Sequence, residues 1–80
     1  MSPAHFPQPL TSFIKGEIVH LAFFALGEAE SQRLRDLGVR EGNAIHVLKN
    51  EDTFICRIEA SRIALRREVA MNVFATQNSK

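Results

Sequence analysis

Two short runs of alternating apolar and polar residues, joined by a polar tip, constrain the fold of this chain most. Residues 43–49 and 53–59 each alternate, and residues 50–52 lie between them. The pattern predicts a β-hairpin, because successive side chains of a strand point to opposite faces of a sheet. With Lys49 opposite Phe54, the apolar side chains of both runs share one face: Ile45, Val47, Phe54, Cys56 and Ile58.

The remaining sequence predicts three more strands and one helix. Residues 17–24 read as a first strand, and residues 28–37 as a helix that Gly38 ends. Residues 62–65 and 72–75 read as later strands, with one helical turn between them. A chain of 80 residues hides the edges of about five short strands most economically in a small, partly closed barrel. The expected fold is therefore mainly β, with one helix between the first and second strands.

The first predicted strand is apolar on both faces. Val19, Leu21 and Phe23 share one face, and Phe24 lies on the other, so one of the two adjacent phenylalanines must face away from the core. Phe24 is the candidate for contact with a partner. The outer face of this strand could be covered by the amino-terminal arm or by a partner, which leaves homo-oligomer formation open.

Length and composition predict one folded domain, over residues 10–76. All three prolines lie in residues 1–9, which are expected to form a flexible arm, and residues 77–80 a frayed end. The chain has no apolar stretch of the roughly 20 residues that span a bilayer. It also lacks a secretory signal, so the expected location is the cytoplasm.

Several kinds of chemistry are disfavoured by the residues present. There is no glycine-rich phosphate loop and no hydrolase or zinc-protease motif, so no catalytic residue and no enzyme activity are expected. Ten basic residues oppose nine acidic ones, for a net charge of +1. This near-balance makes nucleic acid the least favoured partner.

A metal site would need several converging ligands. The donors besides carboxylates are His5, His20, His46 and Cys56. In the predicted hairpin Cys56 points inward and His46 outward, so the two cannot share one ion. The sequence therefore predicts no metal site and no cofactor, and it gives Cys56 the role of a small buried apolar residue.

The carboxy-terminal half is rich in arginine. Two readings remain open for Arg57, Arg62, Arg66 and Arg67. They could form an ordinary solvated face, with their stems covering apolar surface. They could instead form a docking patch for an acidic partner, where charge would raise the association rate and orient the complex.

Two motifs give the chain a family resemblance. Residues 33–42, RLRDLGVREG, and residues 63–70, IALRREVA, resemble two signatures of the ferrous-iron transport protein A (FeoA) family, in order and spacing. Two departures are Glu41, where the family usually has proline, and a short hairpin tip at residues 50–52. The first is expected to loosen one turn, and the second removes any contact that a longer loop would make.

The resemblance implies a small cytosolic module with a Src-homology-3-like (SH3-like) barrel. It further implies an accessory role in bacterial Fe(II) uptake, in which the module docks to the cytosolic part of a membrane GTPase-transporter. Related barrels form the carboxy-terminal domain of iron-dependent repressors. The alternative is therefore a stand-alone regulatory domain that binds a transition metal or a transcription factor. No helix-turn-helix segment is apparent, so such a domain would act in trans.

Overall fold

The computed structural model describes residues 6–77 and arranges them as one antiparallel sheet with two α-helices. The strands are β1 (Gln8–Pro9), β2 (Ile18–Phe24), β3 (Ala44–Asn50), β4 (Thr53–Ile58), β5 (Ser61–Arg66) and β6 (Val73–Gln77). Their order across the sheet is β1-β6-β2-β3-β4-β5. Helix α1 (Glu28–Asp36) follows β2, and the short helix α2 (Arg67–Ala70) follows β5. The mainly β architecture with one helix between the first long strand and the hairpin is confirmed.

The predicted hairpin supplies the largest part of the core. Val47 pairs with Cys56 as expected, and the apolar residues assigned to the inner face are buried: Ile45, Val47, Phe54, Cys56 and Ile58. The pairing of Lys49 with Phe54 was wrong. Lys49 lies opposite Ile55, because the register shifts by one residue between Val47 and Lys49. A β-bulge bends the strand that contains it, here the end of β3, and Phe54 remains buried.

A second bulge interrupts β2. The register with β6 shifts between Leu21 and Phe23, so Phe23 no longer shares the face of Val19 and Leu21. Its side chain is 45% exposed and its ring stacks on that of Phe74, with centroids 4.9 Å apart. Phe24 instead packs against the core. The face predicted for each phenylalanine was therefore wrong, since a bulge inverts the alternation beyond it.

The folded part extends beyond the expected limits of 10 and 76 at both ends. Gln8 and Pro9 pair with Ala75 and Phe74 of β6 as a short edge strand. An edge strand tolerates proline because the missing N–H can be on the unpaired side. β6 continues to Gln77, whose amide donates a hydrogen bond of 2.7 Å to the Glu17 carboxylate. The rest of the predicted arm, 1–5, and residues 78–80 lie outside the described residues.

The turn after α1 contains the departure at Glu41. Gly38 and Gly42 have the expected positive φ, 101° and 90°. The Glu41 carboxylate accepts hydrogen bonds from Nε and Nη2 of Arg35, at 3.3 and 2.8 Å. This pairing lowers the pKa of Glu41. Glu41 thus ties the turn to the end of α1.

Candidate docking surface

Two of the predicted arginines form a continuous row on the outside of the sheet. Arg57 of β4 lies opposite Arg62 of β5, and His46 of β3 lies on the other side of Arg57. Side chains directly opposite each other share one face of a sheet. Both arginines are exposed, and Nη2 of Arg57 lies 3.4 Å from Nδ1 of His46. The pairing of β3 with β4 and of β4 with β5 therefore brings these three side chains together.

Arg66 extends this surface along β5. It lies on the same face as Arg62, since residues four apart in a strand point the same way, and it is exposed. We call the surface formed by Arg57, Arg62 and Arg66 the arginine face. Within residues 6–77 the ion pairs are Arg35 with Glu41 and Lys49 with Glu51. The arginine face thus has no carboxylate partner in the described part of the chain.

Arg67 has a different role from the other predicted arginines. Its Nη1 donates to Oδ1 of Asn50 at 2.8 Å and to the carbonyl of Glu51 at 2.7 Å. The side-chain amide of Asn50 in turn donates to the carbonyls of Thr11 and Phe13. Arg67 therefore holds the hairpin tip against α2 and the 3₁₀ turn at Leu10–Ser12. Sequence reasoning missed this role because it depends on contacts between distant segments.

Phe24 is less accessible than the sequence suggested. The Arg35 guanidinium lies over its ring, 5.1 Å from the centroid, where a cation is attracted to the aromatic face. Of the two adjacent phenylalanines, the outward-facing one is Phe23, and its neighbour Phe74 lies opposite Pro9 of β1. A role for Phe24 in partner contact stays a prediction. The bulge that exposes Phe23 leaves no simple signal in the residue pattern.

Cys56 and His46, two of the candidate metal ligands, lie apart. Cys56 is buried among core residues, and His46 lies on the opposite face of the sheet beside Arg57. Burial raises the pKa of the Cys56 thiol to about 11, so it is protonated at neutral pH. Within residues 6–77 there is no group of three or more His, Cys, Asp or Glu that could hold a metal ion. His5 lies outside the described residues.

A groove of about 330 Å³ beside the hairpin tip is lined by Ile14, Lys15, Leu48, Lys49, Asn50 and Glu51. Within this lining Nζ of Lys49 lies 3.9 Å from Oε1 of Glu51, and both side chains are exposed. Over the described range, no helix has the length and apolar character needed to cross a membrane.

Comparison with known proteins identifies the family. The FeoA domain model matches residues 8–77. The chain belongs to the FeoA domain family. No curated protein matches it at a significant level. The match begins with β1 and ends with β6, so this FeoA domain includes β1 and Gln77, which lie beyond the boundaries expected from the sequence.

Solved structures share the fold. The iron uptake regulatory protein FeoA is 21% identical, with a TM-score of 0.82 over 91% of this chain and 100% of its own. FeoA from Chlorobium tepidum is 21% identical, with a TM-score of 0.82 over 90% of this chain and 71% of its own. A manganese-dependent transcriptional repressor is 12% identical, with a TM-score of 0.84 over 98% of this chain and 45% of its own. These similarities confirm the SH3-like FeoA fold.

Proposed function

We propose that this FeoA domain is a non-enzymatic, cytosolic accessory module of bacterial ferrous-iron uptake. It docks to the cytosolic part of the Fe(II) membrane GTPase-transporter and regulates or stabilises it. The observation that carries the proposal is the family match over residues 8–77. The similar structure named as an iron uptake regulatory protein supports it.

The chemistry of the surface agrees with docking rather than catalysis. Arg57, Arg62 and Arg66 are exposed and lie on one side of the sheet. The described thiol, Cys56, is buried and protonated, which removes it as a nucleophile. A module of this kind acts through contacts made by its surface. The arginine face is the part of that surface whose charge suits an acidic partner.

The direct test combines binding and activity. Purified protein is added to the isolated cytosolic region of the transporter, and binding is followed by calorimetry and GTP turnover by phosphate release. We expect saturable binding that weakens with salt, since exposed charges are screened. Changed Fe(II) uptake on deletion and re-expression of the protein would agree. No binding together with unchanged uptake would refute the proposal.

A second candidate is a regulatory domain of the repressor kind. The observation that favours it is the similarity to the manganese-dependent repressor, which spans 98% of this chain. Direct metal binding is tested by titration with Fe(II), Mn(II) and Zn(II), followed by His46→Ala and Cys56→Ser. Saturable binding at micromolar metal that either variant abolishes would support it. If none of the three metals binds, a regulatory role that depends on direct metal binding is excluded.

A further inference from the structure

β5 is an edge strand of the sheet. Its neighbour on one side is β4, and no strand pairs with its other side within residues 6–77. The residues that alternate along its outer face, Arg62, Ala64 and Arg66, are exposed, while Ile63 and Leu65 are buried. An uncovered edge presents free backbone N–H and C=O groups, to which another strand can pair.

The turn between β4 and β5 determines which backbone groups are free. Ile58 pairs with Ser61 across a turn of two residues, Glu59 and Ala60. A turn this short closes on a pair that exchanges backbone hydrogen bonds, and such pairs alternate with pairs that do not. Counting from Ser61, Ile63 and Leu65 bond to β4, whereas Arg62 and Ala64 point their N–H and C=O groups away from it.

The same stretch of β5 therefore offers both free backbone hydrogen-bonding groups and positively charged side chains. Arg62 and Ala64 present free backbone groups at the edge, and the side chains of Arg62 and Arg66 lie on the outer face beside it. Between them, Ile63 and Leu65 bring the apolar core up to the edge on the inner face. A strand that pairs with this edge would therefore lie beside the positive charge of Arg62 at one end and that of Arg66 at the other, with the apolar side chains of Ile63 and Leu65 between them.

We propose that the β5 edge binds an extended, acidic segment of a partner protein by strand addition. The segment places carboxylates opposite Arg62 and Arg66, four residues apart, because cross-strand neighbours of opposite charge attract. Its alternate residues, opposite Ile63 and Leu65, are apolar. Main-chain hydrogen bonds supply affinity, and the side-chain pattern supplies specificity. That this partner is the transporter rests on the function proposed above.

A polypeptide fits this edge better than a nucleic acid. The free groups of Arg62 and Ala64 alternate N–H and C=O, which matches the backbone of an extended peptide. Arg57, opposite Arg62 on β4, adds positive charge to the same face. The near-balanced charge of the whole chain, +1, provides little general attraction for a polyanion.

The first test uses a synthetic peptide. It has two glutamates separated by valine, threonine and valine, and it is titrated into isotope-labelled full-length protein while amide signals are followed. We expect saturable shifts confined to β5 and slowed hydrogen exchange at Arg62 and Ala64. The control is the same peptide with backbone N-methyl groups on the residues that pair with β5. Equal binding of the methylated peptide would overturn strand addition.

The second test exchanges charge. Arg62→Glu with Arg66→Glu is expected to weaken binding of the acidic peptide about tenfold, and a lysine version of the peptide should recover the affinity. Arg40→Glu is the matched control, because Arg40 is an exposed arginine in the turn before β3. Its expected effect is less than twofold. An equal loss in the control, or no rescue by the lysine peptide, would contradict specific pairing.

The two proposals can fail separately. Ala64→Pro removes one free N–H at the edge without removing a hydrogen bond to β4. If this folded variant loses the peptide but keeps wild-type affinity for the transporter's cytosolic region, strand addition to β5 is not the docking mode and the docking function stands. If the peptide binds to wild-type protein but the transporter region does not, the edge site stands and the partner is a different acidic protein.

Discussion

At the scale of single residues, the buried thiol of Cys56 links stability to pH. Its side chain is fully buried, and burial raises its pKa to about 11. In the unfolded chain a thiol ionises near pH 8.5. The thiol of the unfolded chain therefore loses its proton first as pH rises, and this lowers the free energy of the unfolded state relative to the folded state.

We expect stability to fall in alkaline solution because of this thiol. From about pH 8.5 to pH 11 the free energy of unfolding should decrease by about 3 kcal/mol through Cys56. Urea unfolding followed by circular dichroism measures it, since the chain contains neither Trp nor Tyr. In Cys56→Ala this part of the pH dependence should vanish. Equal alkaline loss in both proteins would contradict the assignment.

A second residue-scale feature is Glu59 in the turn between β4 and β5. Its φ is 57°, a left-handed conformation that costs a residue with a Cβ about 1 kcal/mol. Glycine adopts it freely but loses more entropy on folding. Glu59→Gly should therefore leave stability unchanged or raise it by about 0.5 kcal/mol.

The matched control for Glu59 is its neighbour in the same turn. Ala60 has no positive φ, so Ala60→Gly should cost about 0.5–1 kcal/mol through entropy alone. Urea unfolding of the two variants side by side gives the comparison. A larger loss from Glu59→Gly than from Ala60→Gly would show that the turn carries no backbone strain at Glu59.

At the scale of elements, the hairpin tip is fastened by the side chains of Asn50 and Arg67. Asn50 donates to the carbonyls of Thr11 and Phe13, at 3.0 and 2.7 Å, and accepts from Arg67 at 2.8 Å. It thereby joins β3 to the 3₁₀ turn and to α2. These contacts link segments far apart in the chain and hold one end of the sheet closed.

We expect Asn50→Ala to destabilise the fold by about 2 kcal/mol. The substitution leaves two carbonyls without a donor and removes one of the two acceptors of Arg67 Nη1. Each lost hydrogen bond costs about 1 kcal/mol or less where water can replace it. Asp52→Ala, also at the tip, is the control, because Asp52 is exposed. Chemical unfolding measures both. A loss no greater than that of the control would show that Asn50 does not fasten the tip.

The order and type of these elements could be predicted from the sequence, but their irregularities could not. Alternation identified β3 and β4 and the buried set around Val47 and Cys56. The bulges that move Lys49 and Phe23 arise from twist and packing between strands, which leave no period in the sequence. β1 was missed because two residues are too short to show alternation.

Less of the candidate surface could be predicted. The four arginines and the strand that carries Arg62 were identified, but the β4–β5 register that places Arg57 opposite Arg62 was not. The separate role of Arg67 did not follow, since its partners Asn50 and Glu51 lie in another part of the chain. The free edge of β5 is a property of the whole sheet, so no local pattern reveals it.

At the scale of the whole molecule, this FeoA domain is a small sheet with a buried thiol, a fastened hairpin and one charged edge. Its acidic and basic residues nearly balance overall, yet Arg57, Arg62 and Arg66 gather on one side. A positively charged patch of this kind orients a partner more than it strengthens binding. The strand addition proposed above would bring an acidic segment of a partner to β5 in one orientation.

Backbone hydrogen exchange in the complex tests this account most directly. Isotope-labelled protein is mixed with the cytosolic region of the Fe(II) GTPase-transporter, and exchange is followed at each amide. We predict binding, with the amides of Arg62 and Ala64 exchanging fast in the free protein and at least tenfold slower in the complex. Absence of binding, or protection confined to elements other than β5, would contradict it.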